Sequence, residues 1–141
     1  MANAIYPAFK NAILQGTYNM SSATVKVSLV NTAGSGTLYT YSASHDFFDD
    51  VASGAIFASS AAGLASKTFT AGTFDADNIT FTAVTTSANT IDALILWIDT
   101  AGASSTDPLV AYLDTGISGL PTSPNGGDIT ITWDAAGIFT L

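Results

Sequence analysis

The chain has 141 residues, 48% of them hydrophobic and only 10% charged, with three lysines, no arginine, eleven aspartates and no glutamate, giving a formal net charge of −8. Phosphate backbones are held by clustered cations, so Lys10, Lys26 and Lys67, scattered singly, argue against a nucleic-acid partner. With no cysteine there is no disulfide framework and no thiolate metal site. The length fits one domain over 1–141. No run approaches the roughly 18 to 20 apolar residues that span a bilayer, so no membrane partner is expected. The start, MANAIYPAFK, lacks the basic end and apolar stretch of a signal peptide, which predicts a product made and used without export. Asp belongs to turns and caps, whereas Glu decorates exposed helices, so this composition offers little material for surface helices. So apolar and charge-poor a chain fits a protein whose surface is covered by copies or partners.

In chain order, residues 1–16 read as an N-terminal helical segment. Ile5, Phe9 and Ile13 lie four apart, Tyr6 and Leu14 widen the stripe, Pro7 is tolerated near the first turn and Gly16 is a stop. Residues 23–141 read as a β-rich body. ATVKVSLV alternates, with Val25, Val27 and Leu29 on one face and Lys26 and Ser28 on the polar other. LYTYSA is a second strand. SHDFFDDVASG predicts a short helix near 45–53, with Ser44 as cap and Asp46 in the first turn. AIFAS, KTFTAGTFDA and NITFTAVT follow as short strands. IDALILWID and PLVAYLD form an antiparallel pair, and DITITWD and GIFTL close the chain. The expected fold is mainly β: a single antiparallel sandwich or barrel of about eight short strands, with a short N-terminal helix and one small inserted helix. LVNTAG, WIDTAG and YLDTGI share a stop signal in which an Asx or Thr side chain bonds the backbone where a strand ends.

Catalytic chemistry finds few supports. His45 is the sole histidine, no G-x-S-x-G occurs and no paired carboxylates stand out, so the expectation is a non-enzymatic protein with His45 in the first turn of a small helix. Asp46, Asp49 and Asp50, with Asp75 and Asp77, are oxygen ligands of the kind Ca²⁺ takes, but turn and cap duties account for nearly all the aspartates, so no metal is expected. Lys26 is expected to be a solvated lysine on a strand face. An internal Lys–Asn or Lys–Asp bond is the sharper alternative, disfavoured because it needs a dry pocket. Tyr39, Tyr41, Trp97, Tyr112 and Trp133 would make a sugar platform only if exposed; on alternating strand positions they are more often core. Neither a phosphate loop nor a dinucleotide fingerprint occurs, so no cofactor and no small-molecule substrate is expected.

The segments MANAIYPAFKNAIL, TVKVSLV, YTYSASHDFFDDV, IDALILWIDT and LPTSPNGGDITITWDAAGIFTL together resemble a family of small virion structural proteins of tailed bacteriophages. The most specific part is PNGGDITITWD followed by GIFTL, and 59–67 lies outside the likeness. No catalytic residue is carried over. The resemblance implies a structural role in the virion, made in the host cytoplasm. The acidic balance fits the outer surface of the head better than a face against packaged DNA. The expectation is a capsid decoration (cement) protein whose partners are its own copies, a trimer favoured, and the major capsid protein. The alternatives are a tail tube, tip or adaptor subunit, and a receptor- or glycan-binding module of a fibre.

Two surfaces stand out as interface candidates. One is Ile5, Tyr6 and Phe9 of the N-terminal segment, which would meet a capsid or neighbouring subunit or lie on its own domain. The other comes from Ala93 to Ile98, apolar on both faces. A sandwich core covers one face, so Leu94, Leu96 and Ile98 must lie under another element of the chain or against another subunit.

Overall fold

In the computed structural model, which describes residues 3–141, the chain runs through ten short strands and one α-helix. In order these are β1 (Ala4–Ile5), α1 (Pro7–Leu14), β2 (Thr24–Val30), β3 (Ile56–Ser59), β4 (Thr68–Thr70), β5 (Thr73–Asp75), β6 (Ile79–Phe81), β7 (Ala93–Asp99), β8 (Leu109–Leu113), β9 (Ile129–Ile131) and β10 (Phe139–Thr140). They form a five-stranded sheet in the order β1-β8-β7-β2-β3, a three-stranded sheet β10-β5-β4 and a two-stranded sheet β6-β9. Every pairing is antiparallel, as a mainly β chain with alternating strands predicts.

The helix is shorter than the periodicity suggests, because Ala4 and Ile5 pair with Tyr112 and Ala111 of β8 before the turn begins. Pro7 then sits at the first helical position, where its missing N–H costs nothing. At the far end Gly16 adopts φ +70°, and the N–H groups of Gly16 and Thr17 donate to the carbonyls of Ile13 and Ala12. That is a Schellman stop, which needs a left-handed residue and takes glycine for it.

Two expected elements are replaced by irregular chain. LYTYSA is not a strand: both edges of β2 are occupied, by β7 and β3, so the segment lies across the sheet with Tyr39 N–H bonded to Asn31 O. The helix near 45–53 is also absent. Two single 3-10 turns, Phe48–Asp50 and Ser53–Ala55, stand there instead. The cause is tertiary: Phe48 N–H donates to Asp107 O and Leu109 N–H to Asp46 O, tying the segment to the start of β8. The Asp50 carboxylate accepts from the N–H groups of Asp46 and Phe47, closing one tight turn where a helix would have continued.

β7 is the centre of the large sheet, between β2 and β8. Its residues from Ala93 to Ile98 are all buried, so one chain covers both greasy faces. On one side Ile95 and Trp97 stand beside Tyr112, Ser28 and Lys26. This side is roofed by the irregular segment: Phe48 stacks on Trp97 at 4.2 Å, and Tyr39 and Tyr41 lie 6.0 and 5.6 Å from Tyr112. On the other side Leu94, Leu96 and Ile98 join the continuous core that includes Phe74, Phe81 and Ile131 of the smaller sheets. Burying a leucine stabilises by about 1.5–3 kcal/mol, so the two-sided strand is a large contributor to the fold.

Candidate functional site

The two sets of interface candidates are not surfaces. Tyr6 and Phe9 are buried and Ile5 is half-buried against the core, while Leu94, Leu96 and Ile98 are buried beneath the chain itself. This corrects the expectation that they meet a partner. Phe9 packs inward, and Tyr6 is drawn in by its hydroxyl as well as its ring. The choice left open for the N-terminal segment therefore resolves in favour of its own domain.

Tyr6 belongs to a polar chain that crosses the aromatic layer. Its hydroxyl lies 2.7 Å from that of Tyr39, which lies 2.8 Å from Nδ1 of His45. The ring of Tyr41 is 5.2 Å from Tyr6, so four tyrosines and the histidine form one cluster. Burial pushes the Tyr6 phenol far above its ordinary range and raises Tyr39 and Tyr112 to about 12. His45 is not in a helix; it follows a turn in which its N–H donates to Ser42 O, and its ring is half-buried. The alternation of Tyr39 and Tyr41 was the available signal for this cluster, but nothing in the sequence pointed to Tyr6 as its third hydroxyl.

The aromatic set offers no sugar platform. Tyr39, Trp97, Tyr112 and Trp133 are buried, and only Tyr41 is partly open. The indole N–H of Trp97 donates to Ser28 Oγ at 2.9 Å, and that hydroxyl bonds Ser59 Oγ at 2.6 Å. Ser28 is thus a buried, satisfied core residue rather than part of a solvated face. Lys26 is also more engaged than a free surface lysine: Nζ is 2.7 Å from Asp99 Oδ2 and 5.6 Å from the centre of the Trp97 ring. The hydrogen bond from Lys26, followed by that from the Ala101 N–H, holds Asp99 below the usual carboxylate range.

The aspartates mainly tie turns. Asp92 accepts from the N–H groups of Thr32 and Ala33, Asp99 from Ala101, Asp107 from Thr100, Asp128 from Ala83 and Asp134 from Ala136. The stop signal proposed for WIDTAG is therefore present at Asp99. At 114–115 the acceptor is instead Asn3 Oδ1, which takes the N–H groups of both Asp114 and Thr115. Among the described residues, no three His, Cys, Asp or Glu side chains come together as a metal-binding group.

What remains is surface relief. One groove of about 400 Å³ runs between β3 and β6 and is lined mostly by small residues from 58 to 65. A second, of about 560 Å³, lies beside β1 and β10 with Lys10 and Tyr41 on its wall. A third hollow of about 180 Å³ is almost wholly apolar, walled by Phe9, Met20, Phe69, Phe74, Phe139 and Leu141. Large hydrophobic side chains stand outside as well: Leu14 is 86% exposed, Leu141 60% and Phe69 48%. No known protein family matches the chain, and no curated protein is significantly similar to it.

Proposed function

We propose that this chain is a non-enzymatic structural protein of a tailed-phage virion, a decoration protein that cements the outside of the head. The observation that carries the reading is apolar surface left over after the core is complete. Both faces of β7 are closed by the chain, yet Leu14, Leu38, Phe69 and Leu141 stay outside on a chain with few charges. Leftover apolar surface marks contact with other proteins. The resemblance of MANAIYPAFKNAIL and PNGGDITITWD to small virion proteins adds to it.

Cementing works by added interface. Each copy, alone or as a symmetric oligomer, bridges neighbouring capsid subunits and raises the free energy of separating them. An interface of about 1,600 Å² is the usual size for specific association. Its apolar part contributes about 25 cal/mol per Å² before association costs are subtracted. Gold-labelled antibody against the protein, counted on intact particles, tests this: hundreds of copies on the head are expected. A ring-sized number on the tail would replace the reading with that of a tail tube or adaptor subunit. That second reading is favoured by the open edges of β3 and β4, which pair on one side only and would suit stacking subunits.

A further inference from the structure

We infer that copies of this chain join by inserting Leu14 of one into the apolar hollow of the next. Leu14 is the most exposed large hydrophobic residue among those described, at 86%, and has no home on its own chain. The hollow walled by Phe9, Met20, Phe69, Phe74, Phe139 and Leu141 has apolar walls, no charged group among its lining residues and about 180 Å³ of space. An apolar cavity of about 150 Å³ accepts a benzene ring, so a leucine side chain is within its capacity. Phe69 on the edge strand β4 and Leu141, both largely exposed, form its open rim.

Charge says why the occupant is a second copy. Residues 1–45 carry two lysines and no acid, a net +2, while 46–141 carry eleven aspartates and one lysine, a net −10. Lys10 is exposed one turn before Leu14, at the i, i+4 spacing that puts both on neighbouring positions of one helix surface. The plug therefore arrives with a cation beside it, and the body that receives it holds all the acids. At the hollow itself the remaining cation is withdrawn, since Lys67 Nζ donates to the carbonyls of Met20 and Ala23. Two acidic molecules meet here with the least repulsion available to them.

Direction sets the kind of assembly. Five residues separate Phe9, which lines the hollow, from Leu14, and at 3.6 residues per turn they point about 140° apart around the helix. Plug and hollow face different ways, so they do not exchange reciprocally about one twofold axis. The contact is head-to-tail and closes as a ring. The inference rests on the decoration reading only in taking self-association as the working state, and its test is made in solution without particles.

The test is sedimentation velocity on the full chain over a concentration series. The parent chain is expected to assemble, and Leu14→Ser, at a position that touches no core, to weaken assembly at least tenfold. Leu141→Asp spoils the hollow from its exposed rim and should do the same, with circular dichroism confirming that both variants fold. Mixed together, the two variants should form a one-to-one pair, because one keeps the hollow and the other keeps the plug. A monomeric parent, a Leu14→Ser chain that assembles like the parent, or a mixture that stays monomeric overturns the proposal. Loss of ring assembly with full head binding separates failure here from failure of the decoration reading.

Discussion

Raising the pH from about 8 to about 11 loads the tyrosine cluster in a way that can be followed ring by ring. In the unfolded chain a phenol ionises near pH 10. In the fold, desolvation raises Tyr39 and Tyr112 to about 12 and Tyr6 further still. All three are buried, so solvent screens little of the effect. Their folded values are raised, so the stability linked to them is fully present below pH 10 and is lost as the pH climbs towards 12. One unit above the unfolded value, each retained proton costs about 1.4 kcal/mol, and three cost about 4 kcal/mol. That is a large part of the roughly 5–15 kcal/mol that holds a domain together. Urea unfolding at successive pH values should show this loss between pH 10 and pH 12, while tyrosinate ultraviolet absorbance shows these three rings silent until the fold gives way. Tyr39→Phe should remove about a third of the alkaline loss. At neutral pH it should cost about 1–3 kcal/mol, because the hydroxyl of Tyr6 is left without its partner. All five tyrosines ionising together near pH 10, with the near-ultraviolet dichroism of the fold intact, would refute the argument.

Leu96→Ala should lower the urea-derived stability by about 2–5 kcal/mol, since the side chain is fully buried in the central strand; a loss under 1 kcal/mol would place it at a surface. Ala71→Gly should raise the melting temperature, worth about 0.5–1 kcal/mol. Ala71 sits at φ +51° beside Gly72 at +79° in the two-residue turn between β4 and β5, where a side chain is strained. Lys26→Met should destabilise the protein more at pH 7 than at pH 3. The lowered Asp99 value means that the ion pair's contribution is present above the ordinary carboxylate range and is lost as the pH falls through the folded value. Equal effects at both pH values would show that the aliphatic stem over Trp97, rather than the charge, matters there.

How much of this was legible in the sequence differs from element to element. β2, β7 and β8 were readable because their residues repeat with the period of a strand or run apolar for longer than any loop would tolerate. The stop at Gly16 was readable because a local backbone conformation demanded that residue. LYTYSA and SHDFFDDV were misjudged for a common reason. Each has a local pattern that suits a regular element, yet their hydrogen bonds go to Asn31, Asp107 and Pro108, partners that no local window contains. Tyr6 failed as a surface candidate in the same manner, since its partner hydroxyl is 33 residues away.

The central strand carries the wider consequence. An apolar run on both faces of a strand does not by itself demand a second subunit, because irregular chain can roof a sheet as well as another sheet can. Here the roof is made from residues whose rings point inward and whose backbone groups find partners along β8 and β2, so it needs no ladder of its own. A hydrophobic excess therefore has to be sought after the fold has taken what it uses, among side chains left with nothing beneath them. By that criterion Leu14 and Phe69 outrank Leu94, Leu96 and Ile98 as contact residues, although the latter three make the more conspicuous stretch of sequence. Exposure in the folded chain, rather than hydropathy along it, identifies the surface through which this protein meets others.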